Sequence, residues 1–181
     1  MRYLSSELLY RPVPRHIVST GRFSNVADMV RAANGNAFGS TGWPAGNRAF
    51  YYPLHIPQRF TVARFMIANG TAVAGNFDLG LYDNAGTRLV SIGATAQSGT
   101  STTQYVGVTD QSFGPGHYYI GIVLSSTSGE VRRVTVDQYQ QRVSGVLMEN
   151  LGATTLPASM TPVSNTNGVA WCFGLTQSDT I

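Results

Sequence analysis

The sequence predicts an all-β protein: an antiparallel, jelly-roll-like β-sandwich of about eight strands, with an extended N-terminal arm and one short helix. Three observations carry this. Apolar and aromatic residues recur at alternate positions in short runs, which is the period of a half-buried strand. Gly, Pro, Asn and Asp clusters separate the runs, with no helical period between them, so a βαβ fold is excluded. Charged residues make up only 12% of the 181 positions, whereas Ser, Thr, Asn and Gln together number 52. That polar but uncharged composition suits the wet face of antiparallel sheets and argues against a coiled coil or a charge-driven disordered chain.

Two regions differ in texture. Residues 1–47 form the first, an arm followed by a short helix and a Gly-rich loop. Arg11-Pro12-Val13-Pro14 is extended, because each proline pushes its predecessor out of the helical region. Ser24 then suits an N-cap, Val26, Met29, Val30 and Ala33 share one helical face, and Asn34-Gly35 is a stop signal. Residues 48–181 form the second region, the sandwich.

Its strands follow in order. Residues 48–56 are rich in aromatics and end at Pro57. Residues 59–68 alternate so as to place Phe60, Val62 and Met66 on one side and Phe65 and Ile67 on the other. Residues 75–83 align Phe77, Leu79 and Leu81, and Asp83-Asn84-Ala85-Gly86 turns the chain into 87–93 as a hairpin. A polar link leads to 105–110. Gly114-Pro115-Gly116 then opens 117–125, whose stripe is Tyr118, Ile120, Ile122 and Leu124. Residues 130–138 and 167–175 complete the set. Residues 139–166 stay unassigned: prolines at 157 and 162 exclude one continuous helix there, and the segment is a candidate contact surface.

All 12 basic residues are Arg, and the formal net charge is +3. Only Arg132 and Arg133 are adjacent, and on a strand they point to opposite faces, so no basic patch for specific nucleic-acid binding is expected. Cys172 is the single cysteine. It lies in the apolar run 169–173 and reads as a small buried hydrophobe, not a nucleophile. No apolar stretch reaches membrane-spanning length, and residues 1–16 lack the apolar core and cleavage site of a secretory signal.

No catalytic, metal or cofactor constellation emerges. His16, His55 and His117 are scattered, without helical pairing. Asp78 alternates out of its strand's apolar face. Asp83 opens a turn, where an Asp bonds its own backbone. A glycosidase needs two carboxyls facing across a cleft, and nothing in the sequence sets a second one opposite either Asp. The consecutive aromatics Phe50, Tyr51 and Tyr52 require at least one to face away from the core. Trp43, Tyr51, Tyr52 and Tyr119 are therefore candidates for glycan or protein contacts, with burial beneath the N-terminal segment the preferred alternative.

The stretch 59–124, with its "ANG" turn, "GNFDLGLYDNAG" hairpin and "GPGHYYIGI" strand, resembles small structural proteins of tailed bacteriophages and prophages, as do "LPASMTPV" and "VAWCFGL" downstream. The resemblance covers about residues 48–175 and transfers no catalytic residue. It implies a virion protein assembled in the bacterial cytoplasm, foremost a capsid decoration or cement protein. Its partners would be other capsid or tail subunits and further copies of itself, by analogy a trimer. The N-terminal segment, with Tyr3, Leu8, Tyr10, Arg11 and Arg15, would make the assembly contacts. The alternative is a tail-fibre or spike module that binds a host glycan through the four aromatics. No membrane and no cofactor enter either reading.

Overall fold

Phe50, Tyr52, Leu54 and Ile56 alternate along one strand, and all four point into the same core. The computed structural model describes residues 38–176, together with two upstream segments, β1 (Ile17–Val18) and β2 (Arg22–Ser24). Then follow β3 (Gly39–Gly42), β4 (Arg48–Ile56), β5 (Phe60–Ala68), β6 (Asn76–Asp83), β7 (Arg88–Ser91) and β8 (Thr95–Ala96). Next come β9 (Thr103–Phe113), β10 (Gly116–Leu124), β11 (Glu130–Thr135) and the helix α1 (Gln138–Val143). The last are β12 (Leu147–Asn150), β13 (Val163–Ser164), β14 (Val169–Trp171) and β15 (Phe173–Thr176).

All pairings between these strands are antiparallel, and three sheets result. The larger runs β13-β12-β4-β10-β6-β7, with β8 also on β6; the opposing one runs β1-β2-β15-β5-β9; a third, β14-β11-β3, is smaller. Phe77, Leu79 and Leu81 of β6 and Ile120, Ile122 and Leu124 of β10 join the β4 stripe on one side of the core. Phe60, Val62, Phe65 and Ile67 of β5, with Phe173 and Leu175 of β15, close it from the other. Fully burying each such side chain stabilises the fold by about 1.5–3 kcal/mol. This is the expected β-sandwich, and short links such as Pro57-Gln58-Arg59 carry the chain from one sheet to the other.

The hairpin between β6 and β7 forms as its turn residues dictate. Asp83 Oδ1 accepts the amides of Ala85 and Thr87 at 2.9 and 2.8 Å, and Gly86 takes φ +86°. Elsewhere the structure corrects the sequence reading. Strict alternation in β5 would set Phe65 and Ile67 opposite Phe60 and Val62. Instead the register against β9 shifts between Val62 and Arg64, and all four enter the core. One irregularity changes the facing of everything beyond it. The run 167–175 is not one strand either: it breaks at Cys172, with β14 in the small sheet and β15 in the opposing sheet.

The helix expected over residues 24–33 falls outside the described residues beyond Ser24, which ends β2. Among the described residues the helix is α1, in the segment the sequence left unassigned. That segment also supplies β12 and β13, and between them a strap, residues 151–161.

Candidate functional site

The strap covers the outer face of the larger sheet, and polar side chains of that face hold it in place. Alternation decides which groups are there. Ala49 and Tyr51 of β4, Asp78 and Tyr82 of β6, Tyr119 and Val123 of β10, and Leu147 and Glu149 of β12 face away from the sandwich core. Leu156 of the strap packs onto Ala49, Tyr51, Tyr82 and Val123 as a second, smaller hydrophobic cluster, flanked by Leu151 and Met160.

Hydrogen bonds fasten the strap along its length. Its start is held by Asn47, at φ +59°, whose carbonyl accepts the Leu151 amide at 2.9 Å and whose side chain accepts the Thr154 hydroxyl at 3.0 Å. At the middle, Asp78 Oδ2 accepts the Leu156 amide at 2.8 Å, the Arg88 guanidinium donates to the Leu156 carbonyl, and the Tyr82 hydroxyl donates to Pro157 O at 2.8 Å. Beyond it, the Arg88 and Met160 amides bond Ala158 O and Gly86 O. At the end, Glu149 accepts the Thr161 hydroxyl at 2.6 Å, the Thr161 amide at 3.2 Å and the Tyr51 hydroxyl at 2.8 Å.

Electrostatics follow from burial. Desolvation raises the Asp78 carboxyl above its ordinary range, opposed by the Leu156 amide, by Arg88 and by the amides of Gly93 and Leu79. Its Oδ1 makes no hydrogen bond among the described residues. Burial, then Tyr82 and Glu149, raises the Tyr51 phenol well above an ordinary tyrosine, and burial raises Tyr82 against the pull of Arg88. Both tyrosines are therefore fixed as neutral donors.

These groups are built to hold backbone. Asp78 pairs with Val123, Val123 with Ala49 and Ala49 with Glu149 across four adjacent strands. Their backbones are thus three strand spacings apart, about 14 Å. A glycosidase pair needs carboxyls about 5–9.5 Å apart facing a cleft. Here both carboxylates are buried and engaged with strap amides or hydroxyls.

The sequence-predicted contact aromatics fare differently from their exposed reading. Trp43 is 2% exposed, stacks at 4.5 Å on Trp171, meets Phe50 edge-on, and donates its indole N–H to Arg48 O. Tyr52 lies in the core against Phe173, and Tyr51 is sealed on the outer face. These three cannot form a stacking platform; Tyr119 is half-buried beside the outer cluster. Tyr3, Leu8, Tyr10, Arg11 and Arg15 lie outside the described residues. Cys172 is buried, and burial pushes its thiol up to about 11.

Two features escaped the sequence. Tyr139, Val143 and Val163 stand exposed around α1 and β13, with the Arg142 guanidinium 5.9 Å from the Tyr139 ring centre. His55 and His117 are register partners on β4 and β10. No spacing rule within a single strand reveals such a cross-strand pair.

Among the described residues no group of three or more His, Cys, Asp or Glu could hold a metal ion, and no helix is long and apolar enough to cross a membrane. No family model and no curated protein matches the sequence. Among solved structures, a chain of the T13 IBDV viral particle is similar at 13% identity and TM-score 0.26, covering 77% of this chain and 38% of that one. So low a score carries no argument, and the functional reading rests on the chain's own residues.

Proposed function

We propose that the protein is a non-enzymatic structural component of a tailed-phage virion, a capsid decoration or cement protein that uses its N-terminal arm, upstream of β1, for assembly contacts. The observation that supports this most is the strapped outer face. The sheet surface that would otherwise offer tyrosines and carboxylates to a substrate is closed by the chain itself, and its polar groups hold backbone in place. A scaffold stabilised on both faces of its larger sheet suits a repeated shell. Few surface charges also lower the desolvation cost of packing against neighbours.

Two sets of groups are the contact candidates. Tyr3, Leu8, Tyr10, Arg11 and Arg15 belong to the proline-bearing arm of the sequence. Tyr139, Val143 and Val163 add exposed apolar points beside Arg142, a composition that suits the centre of a protein interface. Closed cyclic symmetry, a trimer by analogy, is the assembly proposed.

Deleting residues 1–16, which leaves β1 in place, tests it. The truncated chain is expected to fold, with an unchanged unfolding midpoint, and to be absent from purified particles. Full occupancy by the truncated chain would overturn the arm's role. A low-resolution map that sets the chain at the tail tip rather than on the shell would replace decoration with host attachment.

A further inference from the structure

We propose that His55 and His117 form a two-histidine site for a borderline divalent transition cation such as zinc or nickel, on the outer face of the larger sheet beyond the strap. The inference is independent of the virion reading.

The backbone sets the two side chains together. His117 of β10 lies directly opposite His55 of β4, and alternation puts both on the outer face, one pair beyond Pro53 and Tyr119. Their ring centroids are 4.8 Å apart and the planes are inclined by 35°. Geometry makes that separation informative. A tetrahedral zinc holds imidazole nitrogens at about 2.0–2.1 Å, which sets two bound ring centres about 5 Å apart. The observed separation lies within the span that a shared ion requires, and rotation about the side-chain torsions brings one nitrogen of each ring to it.

Both rings are also available. His117 is exposed and His55 half-buried, and neither hydrogen-bonds to another described residue. No ring nitrogen of either histidine is tied to a carbonyl or carboxylate among the described residues, so one nitrogen of each is open to a cation and the other to water. Imidazole is a preferred donor for zinc, copper and nickel, whereas calcium and magnesium seek oxygen. With two protein ligands, water completes the coordination, so the site is exchangeable rather than a closed structural centre.

Calorimetric titration of the full chain with zinc chloride, alongside NMR of the imidazole nitrogens, tests the proposal. The His55 and His117 resonances should shift together on one saturating curve. His55→Asn and His117→Asn should each weaken binding by at least about tenfold, with unfolding midpoints unchanged. Because His117 is exposed, its variant keeps the test open even if the His55 variant fails to fold. Magnesium should produce neither effect. The proposal is overturned by absence of zinc binding, by affinity that survives the His117 change, or by a shift confined to His16.

Discussion

Tyr51 and Tyr82 meet edge to face across Gly121, their ring centres 5.3 Å apart and their planes at 85°. Gly121 is the register partner of Tyr51 on one side and of Gly80 on the other. A Cβ added there would lie 3.0 Å from Tyr51 and 3.2 Å from Tyr82. The missing side chain thus makes the space the rings fill. Gly121→Ala should destabilise the protein by about 1–3 kcal/mol, the usual cost of overpacking, and Gly121→Val by more. Urea unfolding measures both, and an unchanged midpoint for the alanine variant would show that the rings do not depend on this gap.

The Tyr51 hydroxyl of β4 donates to Glu149 of β12, 98 residues away in sequence, and Glu149 in turn accepts from Thr161 at the end of the strap. Tyr51→Phe removes the donor and should cost about 1.5–3 kcal/mol, since the acceptor is charged and buried. Glu149→Gln alters the bonds to Thr161 as well. The double variant should therefore be less destabilised than the two single effects added together. Strict additivity in a double-mutant cycle would separate the two groups energetically and contradict the geometry.

Asp78 and Glu130 titrate in opposite senses in acid. Burial raises Asp78, so its folded form binds the proton more readily than the unfolded chain does. Its stabilising contribution is complete below the unfolded value, near 3.9, and is lost as pH rises through the folded value. Glu130 is lowered by the hydroxyls of Ser40 and Thr71, which donate to Oε2 along with the Thr71 amide. Its contribution is present above the unfolded value and disappears as pH falls through the folded one. Asp78→Asn, which keeps an acceptor for the Leu156 amide, should leave a protein whose stability falls on acidification. Glu130→Gln should leave one whose stability rises between neutral pH and about pH 4. Thermal unfolding from neutral pH down to about pH 3, below the ordinary carboxylate range, distinguishes them, and identical pH profiles would refute both assignments.

How much of this was legible follows from how far apart the partners are. β4, β6 and β10 could be read because a strand's facing depends on its own alternation, and the Asp83 turn because its bonds span two to four residues. The strap could not. Its anchors join Asp78 to Leu156 and Tyr82 to Pro157, and nothing local in Leu151–Thr161 says which face it will cover. For the same reason the run Phe50-Tyr51-Tyr52 requires an outward aromatic without saying which; it is Tyr51, and its burial depends on a segment about 100 residues downstream. The His55–His117 pair is hidden likewise, since it needs the register between β4 and β10. In β5 the failure is of another kind: periodic reading assumes an uninterrupted pleat.

That interruption is itself testable through Phe65. With regular alternation from Phe60, Phe65 would face away from the sandwich, and truncating it would remove little packing. With the register shift between Val62 and Arg64 it enters the core, fully buried, opposite Val106 of β9 in the pairing. Phe65→Ala should therefore cost about 3–5 kcal/mol, matching Phe60→Ala, because each leaves a cavity lined by side chains that cannot fully collapse. Arg64→Ala, at the half-buried position between, should cost far less. Urea midpoints for the three variants decide the matter. A Phe65 variant close to wild type, beside a badly destabilised Phe60 variant, would restore the regular strand and remove the shift.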